Sequence, residues 1–223
     1  MRMMLKAVLG ALALVVIGFV GCRVAYPRYE WHQKITVEVE TPQGPLSASS
    51  VAEVAWWGVP KILPNVSPRG WSAKAEAVVL RMPNGQYLFA LVGTADLIAR
   101  AVLFDPLPKN GDPYLYPASQ MEKFRGQKYQ IPPKKYPLLV TFADVSNPAT
   151  VKLVDPRNLD IIGVDYNLKQ ITLEITDEPV TIGKLQGVLP WLSKYPEPSI
   201  LPEVKLNDFS AEAKLRYGDF LRQ

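Results

Sequence analysis

The sequence predicts an α+β domain, built on a mainly antiparallel β-sheet with a few short helices and preceded by an N-terminal membrane helix or lipoprotein signal. Segments of β-branched and polar residues alternate with period two, as half-buried strands do. The 21 prolines are spread over 223 residues and leave little room for long helices. An unbroken apolar run also ends at Cys22 and predicts a membrane helix or a signal.

The first strands are predicted as two hairpins. Lys34–Thr41 (KITVEVET) alternates cleanly, and a Pro- and Gly-containing turn separates it from a second strand at Leu46–Trp57. Ala75–Met82 and Gln86–Val92 form a second pair around Asn84-Gly85, a dipeptide that readily adopts positive φ at both central positions of a tight turn. The last strand of the four contains YLFALV, which is apolar on both faces and predicts a central position in a sheet.

A helix is predicted after Thr94, with Asp96 in its first turn and Asp105-Pro106 as its end. The same criteria predict several further elements. Strands are predicted at Leu138–Ala143, Thr150–Val154 and Gln170–Thr176, and helices at Ser119–Arg125, Thr181–Leu189 and from Ser210 onward.

These elements divide the chain into three parts. Residues 1–25 form the transmembrane anchor or signal segment, and residues 26–193 form the α+β globular domain. Residues 194–223 begin as a Pro-rich connector and end in a helix that we expect to dock on the domain through Leu215 and Phe220.

The apolar run Ala7–Cys22 admits three interpretations. As an uncleaved helix its 16 residues span ~24 Å, short of the ~30 Å hydrocarbon core, so basic residues at both ends would reach the headgroups. Tyr26, Tyr29 and Trp31 would then lie at the interface. As a lipoprotein signal, the run ends in a lipobox-like FVGC, with lipid on Cys22, although Phe19 stands where leucine is usual. Simple cleavage is the third interpretation.

Composition excludes several function classes. Arg2 and Lys6 supply two of the four net positive charges, which leaves 23 basic and 21 acidic residues in the remainder of the chain and predicts no nucleic-acid partner. Cys22 is the lone cysteine and His32 the lone histidine, so we expect no metal site and no cofactor. The early basic residues favour a cytoplasmic N-terminus and a domain on the periplasmic side of the membrane. Arg23, Arg28 and Lys34 follow the run and compete with them, so the reverse topology stays open.

Candidate catalytic residues are few. His32 could act as a base only if the fold brought Ser49 or Ser50 close to it. Asp155, Asp160 and Asp165 could supply the paired acids of a glycosidase, but their five-residue spacing does not align them on a helix, and turn residues are the simpler interpretation.

Tryptophans form the candidate interaction surface. Adjacent residues of a strand point to opposite faces, so one of Trp56 and Trp57 should face the core and the other should face solvent or a partner. Trp31, close to the predicted anchor, is the third member of this surface.

The stretches Tyr29–Lys34 (YEWHQK), Glu40-Thr41-Pro42, LVTFADVSNP and EITDEPVT resemble an uncharacterised bacterial membrane-associated or lipoprotein family of unknown function. The similarity covers most of residues 29–192. It implies membrane association, and it implies no activity, no cofactor and no assigned site.

Together these observations predict a membrane-tethered domain of the cell envelope that binds or scaffolds and catalyses no reaction. The expected partners are the lipid bilayer and a second envelope protein. Two alternatives stay open: an envelope hydrolase that acts on glycans or peptides through carboxylates, and an accessory subunit of a membrane complex.

Overall fold

The computed structural model describes residues 21, 23–61, 64–194, 199–201 and 207–223, and this part is mainly antiparallel β-sheet with a few short helices. The strands are β1 Arg28–Thr41, β2 Gly44–Gly58, β3 Arg69–Glu76, β4 Val78–Arg81, β5 Tyr87–Ala90, β6 Lys128–Gln130, β7 Leu139–Phe142, β8 Val151–Leu153, β9 Asn167–Thr176 and β10 Leu221–Arg222. The α-helices are α1 Ala95–Leu103, α2 Leu115–Gln120 and α3 Tyr217–Phe220, with 3₁₀ turns at Met121–Phe124, Pro133–Lys135, Pro148–Thr150, Pro190–Lys194 and Glu212–Lys214.

The strands form two antiparallel sheets. One has six strands in the order β10-β3-β2-β1-β9-β6, and the other has four in the order β4-β5-β7-β8. The predicted first hairpin is confirmed: β1 and β2 pair without interruption from Arg28 opposite Trp57 to Thr41 opposite Gly44. The central position predicted for YLFALV is also confirmed, because β5 lies between β4 and β7.

The chain passes from one sheet to the other between Glu76 and Ala77. β3, which ends at Glu76, pairs with β2 in the six-stranded sheet, and β4, which begins after the single intervening residue Ala77, pairs with β5 in the other. The buried Ala77 donates its backbone N–H to the Phe220 carbonyl at 2.8 Å. Strands that switch sheets in this way form the corners of packed sheets.

Three layers result from this corner. Val37 and Val54 of the six-stranded sheet pack against Leu88 and Leu139 of the four-stranded sheet in the main core. A second core covers the other face of the four-stranded sheet with residues from the last part of the chain. Its rings include Phe142, Trp191 and Phe220, whose centroids lie 5.8 to 6.0 Å apart.

Glu76 ties this last part of the chain to the corner. Its carboxylate is 3% exposed and accepts backbone N–H groups of Gly183 and Leu185, the latter at 3.1 Å. Its carbonyl accepts the Ser50 hydroxyl at 2.7 Å. A buried carboxylate is tolerated only when donors of this kind replace the hydrogen bonds that water would make to it.

The second predicted hairpin is confirmed, since β4 pairs with β5, but its turn differs from the expected one. It closes through a three-residue loop in which Gly85 alone has positive φ (+85°), and the Met82 N–H binds the Gln86 carbonyl. Two helix predictions were wrong. No helix forms at Thr181–Leu189: Gly183 has positive φ (+82°), the residues after it form turns, and the Gly183 and Leu185 amides bind the Glu76 carboxylate. The expected last helix is the single turn α3, although Leu215 and Phe220 are buried as proposed.

Of the predicted anchor segment 1–25, residues 1–20 and Cys22 lie outside the described residues. Among the helices that the structure describes, none combines the length and apolar character needed to cross a bilayer.

Replacement of Glu76 by glutamine is expected to lower the free energy of unfolding by about 2 kcal/mol, because one carboxylate oxygen becomes an amide donor that faces N–H groups. Urea denaturation of the full-length protein in detergent measures this, and hydrogen exchange should accelerate at Gly183 and Leu185. In the control, Glu40→Gln removes an exposed ion pair with Lys169 and should change stability by less than ~1 kcal/mol. Equal effects of the two substitutions would contradict the role given to Glu76.

Candidate binding site

The three tryptophans of the predicted interaction surface occupy different environments. Trp31 and Trp56 are buried at 4% and 7% exposure, and Trp57 is half-buried. The interfacial position expected for the Trp31 ring is therefore wrong. Of the two adjacent tryptophans, Trp56 faces the core and Trp57 the outer side of the sheet.

Both buried indoles are linked to the start of α1, Trp56 directly and Trp31 through Gln33. The Trp56 N–H donates to the Asp96 carbonyl at 3.1 Å. The Trp31 N–H donates to the Gln33 side chain at 3.0 Å, and Gln33 in turn donates to the Ala95 carbonyl at 2.7 Å. Because a buried indole N–H needs an acceptor, these bonds fix α1 across the end of β1 and β2.

Trp57 lies flat on the outer face of the six-stranded sheet. Its indole covers Gly70 so closely that a Cβ at that position would overlap it. The Arg28 guanidinium lies 4.7 Å from the ring centroid and is held by Glu30 at 3.1 Å. A glycine opposite Trp57 is therefore what lets the ring lie flat.

Trp56 belongs to a larger group of rings and guanidinium groups, which we call the arginine–aromatic cluster. The cluster consists of Trp56, Arg69, Trp71, Arg100, Tyr114 and Arg222. β2, β3, α1, β10 and the residue before α2 contribute these side chains.

Tyr114 is at the centre of the cluster. Its ring stacks on Trp56 with centroids 4.7 Å apart and planes 24° apart. The guanidinium carbons of Arg69 and Arg100 lie 4.5 and 4.4 Å from the Tyr114 centroid, within the range of cation–π contacts. Arg222 lies 5.0 Å from the centroid of Trp71, which is 43% exposed and opens the cluster to solvent.

Two of these arginines have hydrogen-bonding capacity that the described part of the chain does not use. Nε and Nη1 of Arg69 and Nε of Arg100 are buried and find no acceptor there. Arg69 forms an ion pair with Asp112, but Oδ2 of Asp112 lies 3.6 Å from Nε, beyond hydrogen-bond distance. The other oxygen of Asp112 accepts the N–H groups of Tyr114 and Leu115, each at 2.9 Å.

Asp96 faces the cluster from α1. Burial raises the pKa of this carboxyl, and the positive charges of Arg222 and Arg100 partly oppose the rise. Its Oδ1 lies 3.8 Å from Nη1 of Arg222. Three guanidinium groups therefore share the two carboxylates of Asp96 and Asp112. Burial disfavours the charged form of Asp96.

This arrangement is suited to bind an anion. Guanidinium groups present planar pairs of donors that match carboxylate and phosphate oxygens, and the aromatic rings keep them partly desolvated, which strengthens such bonds. Tyr114 and the tryptophans supply flat apolar walls beside the charge. The cluster itself contains no thiol, histidine or serine that could act as a nucleophile or a base.

The residues considered for a catalytic triad do not meet. Ser50 lies in the core and donates to Glu76, and Ser49 pairs with Thr36, four residues and about 13 Å along β1 from His32. His32 instead contacts the Glu178 carbonyl through Nδ1 at 2.8 Å, and its Nε2 lies 3.8 Å from Glu53.

The candidate acids are solvent-exposed. Asp155, Asp160 and Asp165 lie on the surface of the turns between β8 and β9. Hydrogen bonds from the Arg157 side chain and backbone lower the pKa of Asp155, which keeps it ionised. In the described residues, histidine, cysteine and acidic side chains form no group of three or more that could hold a metal ion.

A shallow polar cleft of about 190 Å³ brings other acids together. Glu122 and Asp177 line it, and both are paired with Arg125, which lies between them. Because one guanidinium engages both carboxylates, neither is a lone acid of the kind that protonates a leaving group.

Comparison of this chain with protein-family models, with curated proteins and with solved structures finds no match. The geometry of the cluster is therefore the basis for a functional proposal.

Sequence reasoning selected Trp56 but missed the arginines around it. Arg69, Arg100 and Arg222 are far apart in the chain, and no spacing unites them. The one local signal is the proximity of Arg69 to Trp71 in RGW, which places a cation beside an aromatic residue at the start of a strand.

Substitution of Gly70 by alanine is expected to displace the Trp57 ring and to lower the free energy of unfolding by about 1–3 kcal/mol, because the new methyl group overlaps the indole. Chemical denaturation and tryptophan emission measure the two effects. Gly218→Ala is the matched control: a Cβ there meets no atom within 4 Å, so no loss is expected. A tolerated Gly70→Ala would contradict the stacking described here.

The contribution of Asp96 to stability is expected to fall as pH rises through the range above 3.8. Its raised pKa means that the folded protein holds the proton at pH values where the unfolded chain has lost it, so rising pH favours unfolding in this range. The unfolding free energy of the wild type minus that of Asp96→Asn should therefore decrease as pH rises above 3.8. Hydrogen bonds from the Ser146 side chain and backbone lower the pKa of Asp144, so Asp144→Asn should show the opposite slope, below pH 3.8. Equal slopes for the two variants would contradict the burial effect at Asp96.

Proposed function

We propose that this protein is a membrane-tethered domain outside the cytoplasm that binds an anionic group of another envelope component through the arginine–aromatic cluster. Its role is binding or scaffolding, without catalysis. The anion is a carboxylate or a phosphate, since both present oxygen pairs that fit a guanidinium group.

One observation carries this proposal. Arg69 and Arg100 converge on Tyr114 with buried N–H groups that no acceptor in the described part of the chain satisfies. An unsatisfied donor of a buried charged group costs more than a typical hydrogen bond contributes, so an anion that satisfies it gains that difference on binding. Arg69 retains 23% of its side-chain surface, so part of this side chain faces solvent, whereas its unsatisfied donor atoms are buried.

The charge distribution supports recognition at this place. The globular part carries nearly equal numbers of basic and acidic residues, so the protein as a whole attracts anions weakly. The cluster differs because three guanidinium groups lie against rings and share two carboxylates. Affinity for an anion would therefore come from the arrangement of guanidinium groups in the cluster, and the net charge of the protein would contribute little.

The tether rests on the apolar run Ala7–Cys22. Both a spanning helix and a lipid on Cys22 would hold the domain at a bilayer. The basic residues before the run support a periplasmic position for the domain.

Binding of inorganic phosphate tests the proposal. In a neutral detergent, phosphate should raise the melting temperature of the full-length protein above that in chloride of equal ionic strength, because a ligand of the folded state stabilises it. The double variant Arg69→Gln/Arg100→Gln should weaken phosphate binding at least about tenfold, since each charge-assisted hydrogen bond contributes roughly 1.5–3 kcal/mol.

Two further variants make the result interpretable. Arg81→Gln removes an exposed arginine of β4 in the other sheet and should leave phosphate binding unchanged. Arg69→Lys keeps the charge beside Asp112 but loses the planar donor pair, so it should weaken binding while the fold is preserved. Binding that is insensitive to Arg69 and Arg100 would refute the proposed site.

A further inference from the structure

The arginine–aromatic cluster lies at the end of the sheet where the chain leaves the predicted anchor. β1 begins at Arg28, which is opposite Trp57, and Trp57 is opposite Gly70. Arg69 pairs with Gly58, whose backbone N–H reaches the Pro27 carbonyl at 3.4 Å. The start of β1, the end of β2 and the start of β3 therefore form one end of the domain.

Chain length holds this end close to the membrane. Five residues, 23–27, separate Cys22, at the end of the apolar run, from Arg28, so the six steps between these two Cα atoms span at most about 20 Å when fully extended. Residues 23–25 are helical, which shortens the reach. Each headgroup layer of a bilayer is roughly 5–8 Å thick, so this end of the domain stands at or just above it. This maximum distance between Cys22 and Arg28 is the same whether the anchor is a spanning helix or a lipid on Cys22.

The exposed side chains at this end are of the types found where proteins meet lipid headgroups. Tyr26, Trp71 and Tyr116 are 39%, 43% and 45% exposed, and Val66 in the loop between β2 and β3 is 48% exposed. Aromatic rings and arginines are enriched where a protein meets lipid headgroups, because the rings are amphipathic and guanidinium groups bind phosphate.

We propose that the anions bound by Arg69 and Arg100 are phosphate groups of anionic phospholipid headgroups, so that the cluster docks this end of the domain on the bilayer that carries its anchor. This inference rests on the proposed function, because it names the source of the anion that the cluster binds. Docking would fix the orientation of the domain and leave the opposite ends of β1 and β2, at Thr41 and Gly44, directed away from the membrane.

The test uses the full-length protein in nanodiscs of phosphatidylcholine alone, or of equal parts phosphatidylcholine and phosphatidylglycerol. Brominated phosphatidylcholine is present at the same density in both, and bromine quenches an indole that approaches the acyl chains. We expect stronger quenching of tryptophan emission in the anionic discs. Trp71→Phe should reduce this difference, whereas Trp191→Phe should retain it, because Trp191 is buried in the second core.

The arginines are tested in the same discs. Arg69→Gln/Arg100→Gln should abolish the dependence of quenching on phosphatidylglycerol, and Arg81→Gln should preserve it. High salt should abolish it in the wild type, because guanidinium–phosphate attraction near a surface is screened. The salt measurement tests the electrostatic origin even if the double variant does not fold.

The remaining outcomes separate the two proposals. Equal quenching in the two kinds of disc, with inorganic phosphate still stabilising the protein in detergent, would overturn lipid docking and leave the proposed function in place. Loss of both effects would overturn both proposals. Quenching that depends on phosphatidylglycerol but not on Arg69 and Arg100 would overturn the role of the cluster in docking.

Discussion

The structure depends on the passage of one strand between two sheets at Glu76 and Ala77. This corner stacks the sheets on a shared apolar core and places a carboxylate inside the protein. Because a buried carboxylate needs donors, the backbone around Gly183 and Leu185 is drawn against it. The Ala77 N–H binds the Phe220 carbonyl, so the end of the chain is fixed at the same point. One polar constraint thus organises the third layer of the fold.

The arginine–aromatic cluster is a consequence of this arrangement. Once the end of the chain is fixed beside Ala77, β10 pairs with β3, and Arg222 reaches Trp71 and Asp96. The indole of Trp56 binds the Asp96 carbonyl and fixes α1, which carries Arg100. The cluster therefore assembles from β2, β3, α1, β10 and Tyr114 before α2, which the fold brings together, and its excess of positive charge results from packing.

Sequence patterns predicted elements well where the residues of one segment decide the outcome. The β1–β2 hairpin, α1 and the central β5 were predicted because alternation, helical spacing and doubly apolar runs are local properties. The cap expected from Thr94 was wrong, since its side chain makes no capping hydrogen bond. Prediction was wrong at Thr181–Leu189, where the apolar residues have helical spacing but Gly183 has positive φ (+82°) and the Gly183 and Leu185 amides bind the distant Glu76 carboxylate. The interfacial position predicted for the Trp31 ring was also wrong, because the ring is buried. A short distance in sequence from the predicted anchor does not determine which side of a sheet a ring faces.

The sequence by itself determined the apolar run before Cys22, the antiparallel character of the domain and the opposite orientations of Trp56 and Trp57. Each follows from hydropathy or from the two-residue period of a strand. The tertiary structure alone decided that Arg69, Arg100 and Arg222 meet around Tyr114 and Trp71. Side chains from separate strands and helices become neighbours only through long-range packing, and no local pattern encodes such a meeting.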